Sequence, residues 1–511
     1  MNKIIHKITG IVLTGSILLS SCTKDFQEIN TDPNNTPSAQ PSQLLAPALV
    51  STLTYNMIRN RNFNNELMQV TVDPNDAEGR VFRYDFRSNW SDYLYNGWYS
   101  ELTNFKDIYK IAGEQLTFNE SYQGISLICQ SWVYSMLTDT YGDVPYFQSN
   151  LAKDSTILEP VFDRQRDIYM DIFKKLEAAN TLLARGTGIT ASSDPVYYGD
   201  VAKWRRFGNS LYLRLLLRIS GKTEVADTCI AKIREIVDEK ASTYPIISNN
   251  DESAILRWTG VGPFVSPYLS VREQDFRSPG IATFFIEHLV NWNDPRIDIP
   301  TYGTGTPTKI NRWGIAPYQG AYLGIPSGYA PGDNPVKKSY FYSTSANSGA
   351  GPTLQTDPLT GMMMNYAEVQ FILAEAALKG WISGDAGAYY TNGALNSITL
   401  WLPQWDVPIE DFLAASDIQW VESMTPEEKM ERIHLQKYYA LFLTDMQQWF
   451  EYRRTGHPIL PKGPGLRNNG VMPARMTYPV YVQSTNPTNY KAAVAAQGPD
   501  VISTEVWWQK P

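Results

Sequence analysis

Two stretches set flat aromatic rings among amides and guanidiniums. One is Arg83-Tyr84-Asp85-Phe86-Arg87-Ser88-Asn89-Trp90; the other runs from Arg312-Trp313 through Tyr318-Gln319 to Tyr322, with Tyr329 beyond it. A sugar ring presents a C–H face and a fringe of hydroxyls. Trp and Tyr rings cover the first, and Asn, Gln, Arg and Asp side chains bond the second. By analogy with base stacking, each covered ring contributes about 1–3 kcal/mol. The candidate binding residues are therefore Tyr84, Arg87, Asn89, Trp90, Arg312, Trp313, Tyr318, Gln319, Tyr322 and Tyr329. Plain packing competes with this reading for every aromatic. Trp98, Trp132 and Trp204 sit on helical stripes and are expected in the core, as is Trp449.

Other chemistries find less support. Hydrolysis of a glycoside needs two carboxylates about 5–9.5 Å apart. Glu273, Asp275, Asp294 and Asp298 lie among the aromatic loops, but no spacing singles out an acid and a base. Asn293-Asp294-Pro295-Arg296 and Tyr141-Gly142-Asp143 read as Asx-capped turns. His288, His434 and His457 form no HExxH and accompany no cysteine cluster, so no metal site is expected. No cofactor is expected either; a structural calcium held by loop oxygens is compatible with the sequence but not specified by it.

The N-terminus fixes a location. Lys3, His6 and Lys7 precede an apolar run from Ile8 to Leu19. That run is too short for a membrane-crossing helix, which needs about 20 residues, and suits a secretory signal. Leu19-Ser20-Ser21-Cys22 then resembles the lipobox of bacterial lipoproteins, which makes residues 1–21 a signal peptide and Cys22 the acylated anchor. Residues 22–40, with Asn30-Thr31-Asp32-Pro33-Asn34-Asn35, cannot bury a core and read as a tether. Lys24-Asp25 followed by Glu28 resembles the acidic export signals of lipoproteins displayed on the outer face of the outer membrane.

Removing residues 1–21 leaves 42 basic against 52 acidic side chains, a net charge of −10 with no basic run, which argues against nucleic acid as a partner. Cys129 and Cys229 fall in helix-like segments and are expected buried and unpaired. The chain has 14 Trp, 31 Tyr and 19 Phe. The surplus of Tyr and Trp over Phe favours half-exposed places such as ligand clefts.

The elements that must position these residues are mostly helical. Leu45, Leu49, Leu53 and Met57 recur every four residues; Tyr122, Ile125, Cys129, Trp132 and Met136 follow three-four spacing. Ile168 to Leu183 and Val201 to Leu215 repeat the pattern, the latter opened by Asp200 as N-cap. Residues 240–360 differ: Gly and Pro crowd them, and helical periodicity survives only over about 279–291. Long loops are more often functional than idle, and this one also holds Trp258, Trp292, Tyr340 and Tyr342. Residues 361–402 read as a tetratricopeptide-like helix pair, Tyr366 to Leu378 and Tyr389 to Leu402, split at Gly380–Gly387. Thr425-Pro426-Glu427-Glu428 starts a helix expected to run to about Arg453.

Several segments in order resemble the SusD/RagB family, in particular its SusD-like branch. They are Phe26 to Asn35, Asp139 to Tyr146, Asn293-Asp294-Pro295-Arg296, Tyr366 to Leu378, Gln448 to Gly456, Arg475 to Pro479 and the closing Val506-Trp507-Trp508. The resemblance implies one mostly α-helical SusD-like domain over 41–511, with helix pairs as scaffold and inserted loops as binding surface. It further implies a surface lipoprotein of the outer membrane that captures oligosaccharides. Such a protein closes like a lid over a SusC-like TonB-dependent transporter and is not an enzyme. A surface glycoside hydrolase and a peptide-capturing or structural lipoprotein are the alternatives. The central loops, where ligand identity would reside, have no match in the resemblance.

Overall fold

The computed structural model describes residues 39–74, 79–297, 312–345 and 353–510. Cys22 and nearly all of the 22–40 tether lie outside them. Helix accounts for 53% and the strands are two to four residues long, so helix-on-helix packing builds the scaffold. Its first helices are α1 (Pro41–Arg59), α2 (Trp90–Ile111), α3 (Glu120–Tyr141), α4 (Gln165–Leu183), α5 (Val201–Ile219) and α6 (Ala226–Arg234). Within the loop-rich middle lies α7 (Thr283–Asn291), and after it come α8 (Tyr366–Leu378), α9 (Ala386–Thr399), α10 (Pro426–Ala440), α11 (Gln447–Thr455) and α12 (Pro487–Gln497).

Each helical stripe read from the sequence faces inward. Leu45, Leu49, Leu53 and Met57 of α1 are buried, as are Ile125, Cys129, Trp132 and Met136 of α3. Asp200 caps α5 by accepting the Lys203 amide at 3.1 Å, and Thr425 with Glu428 closes a capping box on α10. Neighbouring helices pack in sequence, α1 on α2, α2 on α3, α3 on α4, α4 on α5 and α8 on α9. Cys129 and Cys229 are buried and free. At the end of α3, Gly142 adopts φ 85°, and a Cβ there would lie 1.8 Å from Gln497 Oε1, so the residue following the helix must be glycine.

Two helix boundaries differ from the sequence reading. α9 starts at Ala386 rather than Tyr389 because Asp385 accepts the Ala388 amide at 2.6 Å, and it ends at Thr399. More consequentially, the helix expected to continue to Arg453 breaks into α10 and α11. Leu443 and Asp445 take left-handed backbone angles, φ 70° and 41°. The break delivers Asp445 into the core. Its Oδ1 accepts Asn56 Nδ2 of α1 at 2.7 Å, its Oδ2 accepts Trp132 Nε1 of α3 at 2.8 Å, and its carbonyl accepts Asn60 Nδ2 at 2.6 Å. Three satisfied acceptors outweigh one interrupted helix.

Charged side chains stitch the later helices to the earlier ones. Arg214 of α5 grips Glu368 of α8 with two contacts of 2.6 Å. Arg454 of α11 holds Glu375 of α8 at 2.8 and 2.5 Å, and Lys437 of α10 holds Glu451 at 2.7 Å. Near the C-terminus, Trp508 Nε1 and the Tyr169 hydroxyl both donate to Asp139, at 2.8 and 2.6 Å.

Burial pushes the Asp445 carboxyl up to about 7. The folded chain thus holds this proton more tightly than an unfolded carboxyl, whose pKa is about 3.9. The group's contribution to stability therefore declines as pH rises through the window from about 4 to 7. Asp445→Asn removes the titration, so its melting temperature should rise relative to wild type between about pH 4 and pH 7. A constant difference across that range would show that Asp445 keeps one protonation state.

Candidate ligand surface

The irregular middle is organised by short ladders. β1 (Thr71–Val72) pairs antiparallel with β5 (Gly280–Ile281), β4 (Ala254–Leu256) with β8 (Gly361–Met364), and β6 (Ile315–Ala316) with β7 (Tyr340–Phe341), while β2 (Val144–Pro145) and β3 (Phe162–Asp163) pair outside this region. Ser339 joins the two ladders: its carbonyl accepts the Ile281 amide at 2.7 Å, and its amide donates to the Leu323 carbonyl at 3.0 Å. Between β6 and Leu323 the chain reverses in a two-residue hairpin. Tyr318 and Ala321 exchange both backbone bonds, at 2.8 and 3.1 Å, while Gln319 and Gly320 adopt φ 52° and 84°. Two successive positive φ values define the turn type whose twist suits adjacent strands.

Strand alternation then sorts the rings. Phe341 points into the core, while Tyr340 and Tyr342 flank it on the other face, half-buried, with centroids 6.0 Å apart. Tyr318 and Tyr322 are half-buried as well, and Gln319 is exposed at the turn. Burial raises the Tyr342 phenol, and the neighbouring Tyr340 and Tyr322 phenols add to the shift. Lys337 places its ammonium 4.3 Å from the Tyr340 ring. The result is a patch of tyrosines with an amide and a cation beside it. Phenol faces and hydroxyls together can stack on a ring and bond its edge.

Of the sequence candidates, Tyr318, Gln319 and Tyr322 fall on this patch. Trp313 does not, and this is a correction. It is fully buried, stacked on Phe285 at 5.8 Å, edge-on to Trp401 at 5.9 Å, and covered by the Arg296 guanidinium at 4.9 Å. No ring face remains for a ligand. Trp258 and Trp292 are buried too, so the middle segment exposes tyrosines and not tryptophans. Arg312 is engaged structurally: its Nε donates to the Trp401 carbonyl at 3.0 Å and its guanidinium pairs with Asp357.

The other stretch divides similarly. Tyr84 is buried at the left-handed end of a short turn, φ 58°, and Tyr329 is buried against Phe82 at 5.1 Å. Arg83, absent from the candidates, links them: its guanidinium lies 4.6 Å from the Tyr329 ring and its Nε donates to the Tyr329 carbonyl at 3.0 Å. The two sequence stretches therefore meet, but through packing that withdraws Tyr84 and Tyr329 from solvent. Arg87 and Asn89 are exposed; Trp90 is half-buried with Arg59 over its ring at 4.5 Å. Tyr340, Tyr342 and Lys337 lie on the patch but are not among the candidate binding residues. Tyr340-Phe341-Tyr342, an aromatic-aromatic-aromatic alternation, was the available signal.

With the geometry in view, comparison with known proteins places the chain. A family model described as SusD-like, starch-binding and associating with the outer membrane, matches residues 33–479. The chain belongs to the SusD-like family. Among solved structures, a SusD homologue from Bacteroides uniformis is 24% identical, covers 92% of this chain and 99% of its own, and superposes with a TM-score of 0.76. A chitin-binding SusD homologue from Flavobacterium johnsoniae is 20% identical over 92% of this chain and 98% of its own, with a TM-score of 0.75. These likenesses carry the mostly helical SusD-like fold. Comparison with curated protein sequences gives no match. No helix among the described residues is long and apolar enough to cross a membrane.

Three of the carboxylates considered for hydrolysis, those among the described residues, are otherwise engaged in this SusD-like chain. Asp294 is fully buried and clamped by Arg296 at 2.8 and 2.6 Å. Asp275 pairs with Arg272 at 2.7 Å, and Glu273 accepts the Thr344 hydroxyl at 2.5 Å; Asp298 lies outside the described residues. Glu375, His434 and Glu451 bring three possible ligand atoms within 4.8 Å of one another. There the Arg454 guanidinium already bridges both carboxylates, and burial pushes His434 down to about 4, leaving it neutral at neutral pH.

Two substitutions separate core from surface. Trp313→Ala should lower unfolding free energy by about 3–5 kcal/mol, the range for emptying a packed aromatic site. Tyr340→Ala should lower it by about 1 kcal/mol or less. Equal losses in chemical denaturation would place Tyr340 in the core.

Proposed function

We propose that this protein is a lipid-anchored, cell-surface glycan-binding protein. It captures oligosaccharides and delivers them, as a lid, to a SusC-like TonB-dependent transporter, without cleaving them. One observation carries the reading: the patch of half-exposed Tyr318, Tyr322, Tyr340 and Tyr342, with Gln319 and Lys337 beside it. It is supported by the family description, which couples starch binding to the outer membrane, and by a structural neighbour described as chitin-binding. The lipobox-like ending at Cys22 supports the anchor. Acyl chains contribute about 0.8 kcal/mol per buried methylene, so two or three of them hold the protein firmly.

Two or three ring contacts at about 1–3 kcal/mol each, less the ordering of ligand and side chains, give affinities of roughly micromolar to millimolar. That strength suits capture followed by release. A glycan array on the soluble form lacking residues 1–22 identifies the ligand. Titration calorimetry with that ligand should then find Tyr318→Ala and Tyr340→Ala each weaker by roughly tenfold to a hundredfold. Unchanged affinity in both variants, or shortened products after incubation, would refute the reading.

Anchoring and partnership have their own test. Cys22→Ser should move the protein from the membrane to the soluble fraction of its native host. The unaltered protein, extracted in mild detergent, should bring a β-barrel partner with it. Recovery as a lone monomer would count against delivery to a transporter.

A further inference from the structure

We infer a second sugar subsite, for a neutral pyranose ring, in a cleft between α2 and the 145–160 segment. It rests on the glycan-capture reading but shares no residue with the tyrosine patch. The cleft has a volume of about 500 Å³, within the usual range for small-ligand sites. Tyr95, Asn96 and Tyr99 of α2 line one wall, Gln148 and Asn150 the other, and Tyr481 closes one side. Among the described residues no charged side chain lines it. Four clefts of similar size elsewhere among the described residues differ: Lys175 and Asp171 line one, Arg164 and Asp167 another, Arg257 and Arg312 a third, Glu287 and Lys462 a fourth.

What the neutral cleft offers is aromatic surface and unfilled hydrogen-bonding capacity. Tyr95 and Tyr99 pack at 4.8 Å, and the Tyr481 ring is 40% exposed. Asn150 is fixed by donating to the Tyr99 carbonyl at 2.7 Å and to Thr103 Oγ1 at 2.8 Å, which leaves its buried Oδ1 without a partner. Gln148 accepts the Val161 amide at 2.9 Å through Oε1 and keeps its Nε2 spare. Asn96 accepts the Tyr481 hydroxyl through Oδ1 and keeps its Nδ2 spare.

One lone acceptor and two lone donors beside tyrosine rings fit a group that both donates and accepts around an apolar face, as sugar hydroxyls do. Asn150 Oδ1 has almost no accessible surface, so a small side-chain shift must open it to a donating hydroxyl; the bond then restores an acceptor whose lack of a partner costs about 1–3 kcal/mol. A charged ligand would meet no opposite charge among the lining side chains, the nearby Lys106 ammonium being taken up by the Ser149 carbonyl and hydroxyl at 2.8 and 3.0 Å, and would lose its hydration uncompensated. The exposed Leu158 at the rim, 79% accessible, extends the apolar surface toward a following ring.

Hydroxyl-radical footprinting of the detergent-solubilised full chain tests both surfaces in one sample. The probes are maltohexaose and hexa-N-acetylchitohexaose, which are neutral, and hexagalacturonate, which is acidic. We expect at least one neutral probe to protect Tyr481 and Leu158, hexagalacturonate to leave them unprotected, and Tyr481→Ala to weaken protection of Leu158 roughly tenfold in probe concentration, as for one lost ring contact. Gln148→Ala, a surface change, should do the same without touching a ring. Protection at Tyr340 reports the first surface independently. Protection of Tyr340 alone, of neither surface, or of the cleft by hexagalacturonate as well, would overturn the inference. So would shielding of Tyr481 and Leu158 that no sugar alters and that occurs only in membrane-extracted complexes, which would assign the cleft to a protein partner.

Discussion

Asn56 of α1 and Trp132 of α3 both donate to the Asp445 carboxylate, and Trp98 of α2 donates in turn to Asn56 at 2.7 Å. Elements nearly 400 residues apart in the chain are thereby given one meeting point. Such a buried polar node adds little net stability compared with apolar packing of equal volume. Its value lies in permitting only the arrangement that satisfies every member. The interruption between α10 and α11 exists to make it possible, since a continuous helix could not present both the carboxylate and the carbonyl of Asp445 to α1 and α3. Asn60 and Asn64, in the π-turn that follows α1, reinforce the junction through the Asp445 carbonyl and Gln448.

With the scaffold so fixed, the middle segment needs little regular structure of its own. Its ladders are two or three residues long, yet one series runs from β1 through β5 and Ser339 to β7, backed by buried side chains such as Ile281, Ile315 and Phe341. Rigid backing with a short, two-faced strand is enough to hold Tyr340 and Tyr342 at a set separation. Tryptophans were recruited to the backing and tyrosines to the surface. The larger indole buries more area, and the phenol carries a hydroxyl that water or a ligand can satisfy.

The periodic features were readable because they depend on neighbours three or four residues away. The buried stripes of α1, α3, α4 and α5, the Asp200 cap and the Thr425 capping box are of this kind. So was the core position of Trp98, Trp132, Trp204 and Trp449. The break before α11 was not, because its cause, Asn56 and Trp132, lies more than 300 residues upstream. Trp313 misled for the same reason: its loop is polar and glycine-rich, and nothing nearby announces that Phe285, Arg296 and Trp401 enclose it.

Composition, helical period and capping residues thus determined a mostly helical chain with an aromatic middle, since each is a property of short segments and of the water around them. Which aromatics face outward was decided only by tertiary structure. An isolated segment cannot distinguish Trp313 from Tyr318, five residues on. The difference is made by partners from α7, the segment after α9 and the segment after α10, which cover the one and leave the other at a hairpin turn.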